Sequence, residues 1–83
     1  MPDEYLPPNA ILFIQNLPSG ITKERLESLF SQYPNLAEIR LIPTRPDIAF
    51  VEYLDEQSST VAKDALHNYH IDDNKMKVTF ARK

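Results

Sequence analysis

In Ile48-Ala49-Phe50-Val51-Glu52-Tyr53, apolar side chains occupy both parities of the chain. Successive side chains of a strand point to opposite faces. Ala49, Val51 and Tyr53 therefore share one face, and Ile48, Phe50 and Glu52 share the other. One face meets a core, yet the second still carries two large apolar groups. Ile11-Leu12-Phe13-Ile14-Gln15 repeats the pattern, with Leu12 and Ile14 set against Ile11, Phe13 and Gln15. If the two strands are neighbours, Phe13 and Phe50 come together on a sheet face that no core covers. An exposed apolar patch of that kind marks a contact surface.

The remaining segments supply the layer that covers the first face. Thr22 is a good N-cap, with Glu24 in the first turn, where a carboxylate suits the helix dipole. Leu26, Leu29, Phe30 and Tyr33 follow at helical spacing, and Pro34 stops the run. Ala37, Ile39 and Leu41 alternate with Glu38, Arg40 and Ile42, which predicts a strand. Residues 43–47, Pro-Thr-Arg-Pro-Asp, read as a turn. Asp55 caps a second helix whose inward stripe is expected to be Val61, Ala62, Ala65 and Leu66. Asp72-Asp73-Asn74 reads as a turn, within a stretch at 67–74 that is the least legible part of the chain, and Met76, Val78 and Phe80 alternate with Lys77, Thr79 and Ala81.

The predicted order is strand, helix, strand, strand, helix, strand. Strands are expected at about 11–16, 36–42, 48–53 and 76–81, and helices at about 22–33 and 56–67. Right-handed crossovers place both helices on one face of a single antiparallel sheet. This is an α+β, ferredoxin-like βαββαβ arrangement. Residues 9–83 form the domain, and the Pro-rich residues 1–8 form an extended lead-in. The expected core is Leu12, Ile14, Leu26, Leu29, Phe30, Ile39, Leu41, Ala49, Val51, Leu66, Val78 and Phe80. With 83 residues the chain holds one such core.

Catalysis finds no support in the residues. The chain has no Cys, so thiolate and disulfide chemistry are excluded, and its only Gly, Gly20, makes no phosphate loop. Ser58 and Ser59 have no base arranged by a motif. His67 and His70, with Asp72 and Asp73 close behind, read as surface decoration rather than as converging metal ligands. No cofactor, no metal and no membrane segment is expected. The net charge of -3 argues against strong nonspecific binding of nucleic acid.

Leu12-Phe13-Ile14-Gln15-Asn16-Leu17 resembles the hexamer of the RNA-recognition motif, and Pro46-Asp47-Ile48-Ala49-Phe50-Val51-Glu52-Tyr53 resembles its octamer. The resemblance covers about residues 7–83. Pro7-Pro8-Asn9, Asn16-Leu17-Pro18, Asp64-Ala65-Leu66 and Phe80-Ala81-Arg82-Lys83 narrow it to the second, C-terminal motif domain of a group of spliceosomal small nuclear ribonucleoprotein proteins. It implies an RNA-binding module of pre-mRNA splicing in the nucleus, partnered by single-stranded RNA and by spliceosomal proteins. It also implies a monomeric domain cut from a longer protein.

In that family, aromatic rings at the second hexamer and the third and fifth octamer positions stack on splayed bases. Here those positions are Phe13, Ile48 and Phe50, so one platform is aliphatic. The octamer opens with Pro46-Asp47 in place of a basic residue and Gly, and Arg45 is displaced by one position. The loop between the second and third strands is short and carries no basic run. The departures imply weak or assisted RNA binding. Gln15 is placed to meet a base edge, and Arg40 and Lys77 to meet phosphates. Arg82 and Lys83 extend the last strand for backbone contacts. Glu38 and Glu52 share the face and oppose the cations. Two readings stay open: an RNA-binding face, and a degenerate motif that serves as a protein-interaction module.

Overall fold

The computed structural model describes residues 7–82. The elements are β1 (Ile11–Gln15), α1 (Lys23–Phe30), β2 (Leu36–Ile42), β3 (Arg45–Tyr53), α2 (Glu56–Leu66), β4 (His70–Ile71), β5 (Asn74–Lys75) and β6 (Lys77–Phe80). The main sheet has the order β2-β3-β1-β6, and every pair in it is antiparallel. Both helices contribute to one buried cluster on one sheet face. Leu12, Ile14, Ile39, Val51, Tyr53 and Val78 of the sheet meet Leu26, Phe30, Ala62 and Leu66 of the helices there. The ferredoxin-like arrangement holds. Most of the expected core is buried, with Leu29 and Leu41 half-buried at its margin.

The helices start where their caps predict. Thr22 Oγ1 accepts the Arg25 amide at 3.2 Å, and Asp55 Oδ1 accepts the Ser58 amide at 2.7 Å. These bonds satisfy amides that have no partner within the helix. Helix α1 ends at Phe30, short of the expected residue 33. Tyr33 precedes a proline, which disfavours helical backbone at that position. Its amide instead closes a tight turn onto the Phe30 carbonyl at 3.2 Å.

The inward stripe of α2 differs from the expected one. Val61 is 50% exposed and Ala65 is exposed, whereas Ser58, Ser59, Ala62 and Leu66 are buried. The serines are tolerated because their hydroxyls are paired. The Ser59 hydroxyl lies 2.7 Å from the Asn9 carbonyl and 2.9 Å from that of Glu56, and Asn35 Nδ2 donates to Ser58 Oγ at 2.9 Å. A buried hydroxyl with partners costs little.

The turn expected at 43–47 shrinks to Pro43-Thr44, because β3 begins at Arg45 with Pro46 inside it. A proline is accepted at a strand start, where it interrupts little of the ladder. Residues 70–75 form a small hairpin, β4 on β5, pairing His70 with Lys75 and Ile71 with Asn74. Asp72 turns it with φ 53°, a left-handed value that Asp tolerates better than most residues. The lead-in expected at 1–8 falls largely outside the described residues. No helix among the described residues is long and apolar enough to cross a membrane.

Candidate functional site

The sheet face away from the helices carries the aromatic pair. Phe13 and Phe50 are directly opposite in the β1–β3 ladder. Their rings stack at 5.3 Å between centroids, with 27° between planes. Both remain half-buried rather than enclosed. Arg40 stands across from Phe50 in β2, and Thr79 across from Phe13 in β6. One transverse row therefore reads Arg40, Phe50, Phe13, Thr79. Thr79, at the end of the row, is fully buried.

The next row opposes Glu38 of β2 to Glu52 of β3, and Glu52 to Ile11 of β1. Between the rows lies a concavity of about 270 Å³, lined by Ile11, Glu38, Arg40, Phe50, Glu52, Ala81 and Arg82. Arg40 reaches Glu38 Oε2 through Nη2 at 2.7 Å and through Nε at 3.1 Å. Its guanidinium is held above the ordinary arginine pKa, first by that hydrogen bond and the Glu38 charge, and also by the Glu52 charge. The concavity thus offers an aromatic wall, cationic donors and anionic acceptors within one contour.

A second region lies at the other end of β1 and β6. Gln15 and Lys77 are paired across the ladder. With Asn16, His67, Asn68 and Lys75 they line an open hollow of about 570 Å³. His67 Nδ1 accepts the Val78 amide at 3.2 Å, which fixes the imidazole at the edge of β6. Among the described residues, no group of His, Asp or Glu is arranged to hold a metal ion.

The structure brings Phe13, Phe50, Arg40 and Arg82 around one end of the face, and Gln15 and Lys77 together at the other. Ile48 is half-buried two residues before Phe50, on the same face. Lys83 lies outside the described residues. Asp47, the unusual octamer residue, is occupied by its neighbour. Arg45 Nε reaches its Oδ1 at 3.3 Å, and the bond holds the Asp47 carboxyl below its ordinary value. Sequence reasoning left out Ile11, Ala81 and Lys75. The parity of Ile11 with Phe13 was signal enough for the first, whereas Lys75 enters only through the hairpin at 70–75.

A family model described as the RNA recognition motif matches residues 12–77. The chain is 50% identical over 78 residues to a U2 small nuclear ribonucleoprotein B″ of Oryza sativa subsp. indica, covering 93% of this chain and 34% of that protein. It is 49% identical over 78 residues to the U1 small nuclear ribonucleoprotein A of Drosophila melanogaster, covering 93% of this chain and 36% of that one. It therefore spans about a third of the length of these curated relatives. Among solved structures, the RRM domain of S. pombe Puf1 matches with a TM-score of 0.76 at 32% identity, covering 88% of this chain and 97% of that one. A Sex-lethal protein/RNA complex matches with a TM-score of 0.84 at 26% identity, covering 90% and 48%.

Proposed function

The chain belongs to the RNA recognition motif family, and on that premise we propose that it is a single-stranded-RNA-binding module of a spliceosomal small nuclear ribonucleoprotein protein. In this reading it acts in pre-mRNA splicing in the nucleus, as a monomeric domain, with weak or partner-assisted affinity. The observation that carries the reading is the stacked Phe13–Phe50 pair, left open beside a concavity of about 270 Å³. Bases supply flat apolar faces that such rings accept, whatever their sequence. Gln15, Arg40, Lys77 and Arg82 surround the rings as hydrogen-bond donors, and Ile48 offers an apolar contact. Lys83 would extend the same path. The relatives named as ribonucleoprotein components support the cellular setting.

The weakness of binding follows from magnitudes. Stacking one base is worth roughly 1–3 kcal/mol, so two rings offer a few kcal/mol. Ordering the strand takes part of that back. The electrostatic contribution is small because Arg40 and Arg45 are already engaged by Glu38 and Asp47, and the net charge is -3. The isolated domain is expected to bind short single-stranded RNA no tighter than about ten micromolar at physiological salt, roughly -7 kcal/mol. An RNA titration followed by amide chemical shifts tests this. Shifts should centre on Phe13, Gln15, Arg40, Phe50 and Lys77 and spare the helices. Nanomolar affinity would defeat the argument for weakness, and no shift at any RNA concentration would favour a protein-interaction module.

A further inference from the structure

We propose that the face selects guanine for the base stacked on Phe50, with Glu52 as the residue that reads it. The inference rests on the RNA-binding reading and adds the identity of one base. Phe50, Glu38, Arg40 and Glu52 line the same concavity. Their side chains are not equally occupied. Glu38 Oε2 accepts both hydrogen bonds from Arg40. The Glu52 side chain makes no hydrogen bond or salt bridge with any described residue, although it is half-buried, faces Glu38 directly across the ladder and lies within the field of Arg40. Like charges opposed in this way destabilise a sheet. A ligand that brings donors to Glu52 relieves that cost, whereas a phosphate raises it.

Base chemistry then discriminates. Single-stranded RNA is read on its Watson–Crick and Hoogsteen edges once the base is splayed onto a ring. On the Watson–Crick edge only guanine has two adjacent donors, N1–H and N2–H, spaced to meet both oxygens of a carboxylate. Adenine and cytosine set a ring-nitrogen acceptor beside their amino group. Uracil flanks its N3–H with two carbonyl oxygens. Each of these three would bring lone pairs against the Glu52 anion, and an unmatched polar group in a site rejects a ligand strongly. The remaining polar atoms of guanine fit as well. O6 and N7 are acceptors for which arginine is the usual partner. Arg40 stands across from Phe50, and its Nη1 takes no part in the bonds to Glu38. Arg40 and Glu52 thus address one continuous edge of the base, and Phe50 its face.

Amide-shift titrations with the pentanucleotides UUGUU, UUAUU, UUCUU and UUUUU test the assignment, because a lone guanine can slide until it rests on Phe50. UUGUU should bind at least about fivefold tighter than the other three, the low end expected of one bidentate contact, with its largest shifts at Phe50 and Glu52. Glu52→Gln, whose amide spectrum reports that the fold is kept, should bring UUGUU to within twofold of the rest. Equal affinities in the parent chain, a preference for another base, or a guanine preference that survives Glu52→Gln would overturn the assignment. Saturable binding without base preference defeats the guanine reading alone. No shift with any pentanucleotide defeats the RNA-binding reading and this inference with it.

Discussion

Tyr53 donates its hydroxyl hydrogen to the Phe30 carbonyl oxygen at 2.7 Å, tying the end of β3 to the last turn of α1. That carbonyl is among those a helix C-terminus leaves without an internal partner. Tyr53 is 1% exposed, and burial pushes its hydroxyl pKa from 10.0 up to about 12. The unfolded chain ionises near 10, so its proton is lost first in the unfolded state. The contribution of Tyr53 to stability is therefore fully present below pH 10 and is lost as pH rises from 10 towards 12. Denaturant midpoints from pH 8 to 12 should show this decline, and Tyr53→Phe should flatten it. An equal decline in Tyr53→Phe would place the alkaline sensitivity elsewhere.

Phe30 is fully buried in the cluster that contains Val51 and Tyr53. Phe30→Ala should cost roughly 3–5 kcal/mol, the range for a large ring removed from a core. Urea unfolding measures it, and an unchanged midpoint would contradict the packing of α1 on the sheet.

Ser59→Ala probes the hydroxyl that α2 buries. The change removes the donor from the Asn9 carbonyl and leaves that oxygen without its partner in a part-buried site. A loss of roughly 1–3 kcal/mol is expected. Amide exchange near Asn9 should speed up as well, and a stabilised Ser59→Ala would mean that helix propensity outweighs the bond.

Asp72 and Arg25 join the hairpin at 70–75 to α1 through two bonds of 3.0 and 3.1 Å. The pair is exposed, so global stability should barely change in Asp72→Asn. The bond to Arg25 holds the Asp72 carboxyl below its ordinary 3.8. Its contribution is therefore present above that value and lost as pH falls through the lowered one. Hydrogen exchange at Ile71 and Asn74 should quicken in the variant at neutral pH while the core amides stay protected.

Phe50→Ala separates binding from folding. The ring lies on the face opposite the core, so the domain should remain folded, with a smaller loss than Phe30→Ala. RNA-induced shifts should disappear, because roughly 1–3 kcal/mol per stacked base is a large share of a weak interaction. Undiminished shifts in a folded Phe50→Ala would move the contact off this face.

Side-chain parity and helical spacing are properties of a short length of chain, so the sequence alone determined which residues belong to which face. Ile48 and Phe50 had to oppose Ala49 and Val51 in any strand, and Thr22 and Asp55 marked both helix starts. Whether a face is covered depends on pairing between distant segments, and only the tertiary structure decided that. The β1–β3 register put Phe13 against Phe50, and the β2–β3 register put Glu38 against Glu52. A slip of one residue would have separated both pairs. The stripe of α2 was misread because Ser59 looks polar until Asn9, 50 residues away in sequence, supplies its partner. Asp72-Asp73-Asn74 read as a turn, but the strands on either side of it did not, because two-residue strands carry no period and Arg25, which bonds Asp72, lies 47 residues away in sequence.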